Sequence, residues 1–219
     1  MITLAIEAST YTGSVAVIRD GEVIAERETA MRGADEERLM PATADALAAA
    51  GVAPNAIDRV ACGAGPGSFT SLRIAGSIAK GLALAVRVPL YPVSSLLLIV
   101  AGAEPALRPG RYAAVLDAMR GECFACVFSV TDAAIAVESR AMIVARAALG
   151  ALADAHSARL IGPAQEIDAH PHARGVARLG SLVAWPPAAE LATWEPDYGR
   201  LAEAQVKWEA AHGRALTTG

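Results

Sequence analysis

Gly63-Ala-Gly-Pro-Gly-Ser-Phe-Thr-Ser-Leu-Arg-Ile-Ala-Gly-Ser-Ile-Ala-Lys-Gly81 joins a short strand to a long helix, and the reading of this stretch decides the fold. Upstream, Arg59-Val-Ala-Cys62 is an apolar run of strand type. Gly63, Gly65 and Gly67 stop it together with Pro66, because glycine reaches φ > 0 and proline cannot donate to a ladder. Ser68 stands where an N-cap belongs, a role worth ~1 kcal/mol over alanine. Leu72, Ala75, Ala79, Leu82 and Val86 then recur at steps of three and four, and Ile74, Ile78 and Ala85 form a second flank, so the helix is apolar on more than one side. Two readings of the turn stand side by side. A helix N-terminus ringed by glycine N–H groups is an anion site, which makes Gly65, Gly67 and Ser68 candidate phosphate-binding residues. The alternative is a tight strand-to-helix turn with no ligand. The spacing fits neither a P-loop, which needs a lysine here, nor a dinucleotide fingerprint, whose third glycine position is Ser68.

The chain has 219 residues, enough for one large domain or two small lobes. Apolar residues make up 54 % and aromatic ones 5 %, so the core must be built from Ala, Val, Leu and Ile, which suits α/β layers. The apolar stretch around Leu96–Ala103 is far short of the roughly 20 residues a bilayer crossing needs, and no basic segment precedes the apolar start. The expectation is a cytoplasmic chain with no membrane association. A net charge of −4 with mixed signs gives no positive field for holding nucleic acid directly. Cys62, Cys123 and Cys126 leave an odd count. Cys123 and Cys126 lie three apart in a strand-like run and so point to opposite faces, against a redox or zinc pair.

Taken in order, residues 2–7, Ser14–Ile18 and Val23–Glu28 read as a three-strand meander, with Asp20-Gly21 as a type I′ hairpin turn. A helix over 35–51 follows, capped by Asp35, with Pro41 in its early turns. Then come Arg59–Cys62, the glycine turn, a helix over 68–87, a strand at Leu90–Val93 and an apolar helix from Ser94 or Ser95. The order βββαβαβα is that of a ribonuclease H-like unit, half of the actin, Hsp70 and sugar-kinase architecture. Around Ala103–Gly110 proline and glycine mark a boundary, giving lobes 1–103 and 104–219. The pattern restarts in shortened form: strands at Tyr112–Asp117, Glu122–Phe128 and Ile135–Val137, a helix near Ala145–Ala155 and a strand at Arg159–Gly162. An Ala-rich helix over Ala188–Thr193 and a terminal helix through Lys207 and Trp208 complete the expectation. His170 and His172, separated by Pro171, read as a solvated pair.

Several segments together resemble the TsaB (YeaZ) family, the non-catalytic relatives of TsaD/Kae1/glycoprotease-like proteins. Gly65–Ile74 resembles the family's central signature, and Ile6-Glu-Ala-Ser-Thr10 its opening Asp-Thr-Ser/Ala-Thr. Leu39-Met-Pro41 is similar to its Leu-x-Pro, Asp117–Glu122 to its Asp-Ala-Arg-x-Gly-Glu, and Pro196–Arg200 with Lys207-Trp208 to its closing motif. Departures are Glu7 for aspartate, Ala34 for histidine, Ser71 for glycine and Gly199 for leucine, and they bear on nucleotide binding more than on fold. The resemblance implies an α/β, actin/Hsp70-like (ASKHA) fold of two ribonuclease H-like lobes, the second reduced. It also implies a subunit without catalytic residues, metal or cofactor. Such a subunit pairs with a TsaD-like catalytic paralogue that transfers threonylcarbamoyl to N6 of adenine 37 in tRNAs reading ANN codons, with a TsaE-like ATPase as a further partner, tRNA met only through the complex, and homodimers when alone. The partner-facing helices would be 35–51 and 68–87, with Arg38, Leu39, Arg73, Gly76, Ser77 and Lys80 as candidate interface residues, Gly76 allowing close helix approach and the cations supplying charged rims.

Two other readings compete. A small actin-like-fold ATP-dependent phosphotransferase would use the glycine turn, Glu7 and Asp117, with Gly162-Pro163 as a second phosphate loop. A peptidase would need Ser9, Ser68 or Cys62 as nucleophile, yet no motif supplies the accompanying histidine and carboxylate.

Overall fold

The computed structural model describes residues 1–33 and 36–199. It opens on the meander β1 (Ile2–Glu7), β2 (Thr12–Arg19) and β3 (Glu22–Ala30). Asp20 and Gly21 have φ of 51° and 88°, as a type I′ turn demands. After α1 (Leu39–Ala49) come β4 (Arg59–Gly63), α2 (Phe69–Val86) and β5 (Leu90–Val93), and the sheet has the order β3-β2-β1-β4-β5. The meander pairs antiparallel, whereas β1, β4 and β5 run parallel. The helix α3 (Ser95–Ala101) then leads to the second sheet, built from β6 (Gly110–Asp117), β7 (Glu122–Val130), β8 (Ile135–Val137), β9 (Met142–Ala145), β10 (Arg159–Gly162) and β11 (Ile167–Asp168). Its order, β11-β10-β6-β7-β8 with β9 also on β7, repeats that of the first sheet. The repeat is worn: β10 and β11 have four and two residues, and α4 (Leu149–His156) is the only α-helix described after α3. This is the actin/Hsp70-like fold with a reduced second half.

Strand alternation sorts the side chains. Leu4, Ile6, Val15, Val17, Val60 and Cys62 face α1 and α2, while Ala5, Ala16 and Ala61 face α3. Every residue of α3 is buried. The alanines on the first sheet leave room for it, and Tyr112, Leu116, Phe124 and Phe128 of the second sheet close over its other side. A buried Leu or Ile contributes roughly 2 kcal/mol of transfer free energy, so α3 fastens the two sheets by hydrophobic contact.

Three local expectations change, and a fourth lies outside the described residues. The first helix starts at Leu39 with Arg38 at the N-cap position, and the carboxylate of the preceding Glu37 accepts from the N–H groups of Leu39 and Met40; the expected cap, Asp35, lies outside the described residues. Ser68 occupies the N-cap position of α2, but its hydroxyl accepts from Ser71 Oγ at 3.0 Å and caps nothing. No helix forms over Ala188–Thr193. Ala189 N–H instead donates to Leu90 O at 2.8 Å, on the edge of β5, and only a single turn at Glu190–Trp194 remains. Pro186, Pro187 and Pro196 bracket the segment, and pairing to the sheet edge overrides alanine propensity. The terminal helix through Lys207 and Trp208 falls outside the described residues.

The histidine pair divides. His170 is exposed, but His172 is 5 % exposed at the start of a 3-10 turn over Ala173–Arg178 that packs on α3. Its Nδ1 accepts from Arg174 N–H at 3.0 Å, and its Nε2 lies 3.0 Å from Glu28 Oε1 on β3. Arg174 also pairs with Glu26 and Glu104. Burial, reinforced by the Arg174 charge and opposed by Glu28, pushes the His172 pKa down to about 4. The unfolded chain takes up this proton near pH 6.5, so stability from this group is complete above pH 6.5 and is lost as pH falls toward 4. With screening at the rim the loss is on the order of 1–2 kcal/mol. Urea unfolding at pH 4.5 and 7.0 measures it: His172→Gln, which cannot titrate, should show that much less acid sensitivity than the native chain.

Candidate functional site

β1 and β4 are parallel neighbours in the register Ile6 to Cys62, so the next pair along is Glu7 and Gly63 at the strand ends. Both lie on the face turned to α3. Glu7 is fully buried there. Its carboxylate accepts from Ser9 N–H and from Ser95 Oγ at 2.9 Å, and Ser95 Oγ in turn accepts from Gly65 N–H at 3.1 Å. A Cβ on Gly63 would fall on the carboxylate itself. Burial pushes the Glu7 pKa up, the hydrogen bonds from Ser9 and Ser95 offsetting part of that.

The other glycines of the turn are also taken up by the chain. A Cβ on Gly65 (φ +93°) would strike the Asp197 carbonyl, and one on Gly67 would strike the backbone of Ser9. Ala64 N–H donates to Val93 O at 2.7 Å and Ser68 N–H to Ser9 O at 2.7 Å. Asp197 N–H donates to Ala64 O at 2.7 Å. The residues at this turn therefore do not fit a bound phosphate: Gly65 and Gly67 face protein atoms, and the amides of Ala64, Gly65 and Ser68 are already engaged. The glycines are required because the backbone is approached closely by the chain's own groups.

The remaining chemical candidates are scattered. Asp117 is exposed and pairs with Arg146 at 2.9 Å, and Gly162 packs on the Val115 carbonyl instead of forming a loop that faces the glycine turn. Ser9 Oγ is buried beside the Glu7 carboxylate, with no other hydrogen-bond partner among the described residues. Burial pushes the Cys62 thiol far up; it packs in the first sheet's core and donates to Gly63 O at 3.5 Å. Among described residues no group of three His, Cys, Asp or Glu side chains converges as a metal site. Cys123 packs with Val115 and Leu149 while Cys126 enters the core around α3, on the opposite face.

The residues nominated for partner contact separate as well. Arg38, Arg73 and Ser77 are exposed. Leu39 is completely buried in the first sheet's core. Gly76 is covered by Trp194 and Pro196, and Lys80 donates to the Trp194 carbonyl at 2.9 Å. Only six of the 18 residues of α2 are buried. Its open face carries Phe69, Arg73, Ser77, Gly81 and Leu84, at helical spacing, with Leu84 59 % exposed and Arg73 over the Phe69 ring at 5.0 Å. On α1, Met40, Ala44 and Ala48 are likewise exposed. Phe69 and Leu84 were missed in the sequence because a helix apolar all round does not say which flank the sheet takes.

Substitutions at Glu7 test the buried network. Glu7→Ala should cost about 2–4 kcal/mol by leaving a cavity and unpaired donors. Glu7→Gln should match or exceed the native chain at pH 7.5: a carboxyl with a raised folded pKa destabilises the fold as pH climbs above its unfolded value, and glutamine carries no charge. Urea unfolding at pH 7.5 decides, and equal losses in both variants would contradict the assignment.

The family model described as TsaD, tRNA N6-adenosine threonylcarbamoyltransferase, matches residues 28–181. The tRNA threonylcarbamoyladenosine biosynthesis protein TsaB of Bacillus subtilis is 29 % identical over 95 % of this chain and 98 % of its own length. The protein of the same name from Escherichia coli is 39 % identical over 57 % of this chain, a match spanning about half (53 %) of that relative's length. A Pseudomonas aeruginosa structure described as similar to the peptidase YeaZ superposes with a TM-score of 0.74 at 26 % identity, covering 91 % of this chain and 99 % of that one. YeaZ from the same organism superposes with a TM-score of 0.69 at 28 % identity, covering 80 % and 88 %. With the family model matched over residues 28–181, more than half of the chain, and these relatives agreeing, the chain belongs to the TsaD family and, within it, to the TsaB (YeaZ) group of tRNA threonylcarbamoyladenosine biosynthesis proteins.

Proposed function

We propose that the chain is the non-catalytic subunit of a tRNA threonylcarbamoyl transferase, docking a TsaD-like catalytic paralogue through the exposed faces of α1 and α2. The observation that carries this reading is the open apolar stripe of α2: 18 residues long, a third of them buried, with Phe69, Gly81 and Leu84 turned outward. A helix so apolar on its free side gains by covering it, and Gly81 and Ala85 let a partner helix approach closely. Arg38 and Arg73 stand at the rim. The reading places the transfer to N6 of adenine 37 on the partner, which also holds the tRNA, since a net charge of −4 offers no phosphate-binding field here. A TsaE-like ATPase completes the assembly, the same stripe pairs two copies when the partner is missing, and the complex works in the cytoplasm. The phosphotransferase reading is disfavoured by the filled glycine turn and by the surface pairing of Asp117 with Arg146.

Reconstituted tRNA modification with and without this chain tests the role, and activity independent of it contradicts the proposal. Ser77→Arg and Leu84→Asp, both at exposed positions, should weaken partner binding by about tenfold or more. Calorimetry measures the affinity, and thermal unfolding should stay within about 0.5 kcal/mol of native stability.

A further inference from the structure

Residues Trp194–Gly199 cross α2 and end on the glycine turn. Trp194 and Pro196 cover Gly76, and Lys80 Nζ holds the Trp194 carbonyl. Asp197 then reaches the turn through both of its backbone groups: its N–H donates to Ala64 O, and its carbonyl lies where Gly65 lacks a side chain. The Tyr198 ring stacks on Phe69 with centroids 4.5 Å apart and planes at 44°, on the same ring that Arg73 approaches. Gly199, at φ +67° and held by a 2.8 Å bond from its N–H to Asp197 Oδ1, lies against Pro66 and the ring of Phe124 on β7. One short segment thus touches the turn, the first residues of α2, the middle of α2 and the second sheet.

We infer that Trp194–Gly199 is the internal ligand of the glycine turn and positions the N-terminal half of α2, where the docking stripe begins. In a phosphate-binding relative of this fold the turn would close on a ligand; here a covalently attached peptide meets it, which costs no association entropy. Phe69 and Arg73 lie at the head of the stripe and both meet Tyr198, so their geometry depends on a segment more than 100 residues away in sequence. Tyr198 acts as a positioning residue, without itself being required to touch the partner. The inference rests on the reading of α2 as the docking face, and the two can be separated by experiment.

The test compares Tyr198→Ala, Tyr198→Phe and Gly199→Val with Ser77→Arg. It measures amide hydrogen exchange over residues 65–76 in the free chain and affinity for the TsaD-like enzyme of the same genome. Tyr198→Ala removes the ring stack, whereas Gly199→Val is strained at positive φ and drives a side chain into Phe124. Both should speed exchange over 65–76 and lower affinity by about tenfold, the scale of a lost aromatic pair propagated to one helix end. Tyr198→Phe keeps the ring contact with Phe69 but loses the hydroxyl bonded to Arg73, so it should keep native exchange over 65–76. Native exchange over 65–76 in both disruptive variants would overturn the inference, whatever happens to affinity. Faster exchange with native affinity, while Ser77→Arg abolishes binding, would overturn the positioning role and leave the docking face standing. Native affinity in every variant, Ser77→Arg included, would overturn the docking reading and with it the positioning role, the exchange data alone then deciding whether the segment is a ligand of the turn.

Discussion

A carboxylate can be buried at the end of β1 only because the residue beside it on β4 has no side chain. Glu7 fills the space over Gly63, and the donors that make its burial tolerable come from two directions: its own loop through Ser9 and the first turn of α3 through Ser95. Ser95 is also the acceptor for Gly65 N–H. This arrangement fixes the start of α3 relative to the glycine turn, and α3 is the buried element around which both sheets close. Removing the carboxylate would therefore disturb the turn, the helix and the contact between sheets together, whereas an unpaired buried donor or acceptor alone costs roughly 1–3 kcal/mol.

The same filled turn separates architecture from chemistry. In an actin-like fold the loops at the carboxyl ends of the parallel strands are where a ligand is expected. Here the loops of the first sheet are engaged with Glu7, Ser9 and Asp197, and the outer side of α2 is the surface we propose for docking. α2 meets β4 and β1 with its small residues Ala75, Ala79 and Ala83, and the opposite side keeps Phe69 and Leu84 exposed. Burying such groups against a second helix is favourable at about 25 cal/mol per Å² of apolar surface, which supports the docking role proposed for the face.

Much of this was legible in the sequence for identifiable reasons. The meander was readable because Asp20-Gly21 has one good turn conformation and the flanking residues alternate. Cys123 and Cys126 were correctly kept apart by the period of two. The glycine turn was located but its purpose was not, because a glycine needed for close approach of Asp197, more than 100 residues later, looks the same in sequence as one needed for a phosphate. Long-range contacts also account for the other misses. His172 is buried by β3 and α3, neither of them its sequence neighbour, and the segment over Ala188–Thr193 prefers the edge of β5 to the helix its alanines suggest. Leu39 and Gly76 were nominated for contact with a partner from their place on the helices that the resemblance made partner-facing, and the sheet and the Trp194–Pro196 segment cover them.

The central claim is that this chain acts through the outer face of α2 and not through the loops at the strand ends. Hydrogen exchange of the native chain, free and bound to its TsaD-like enzyme, tests it most directly. The account predicts that new protection on binding centres on residues 73–85 and the exposed side of α1. Protection confined to the glycine turn and the strand ends, with α2 exchanging as in the free chain, would contradict it.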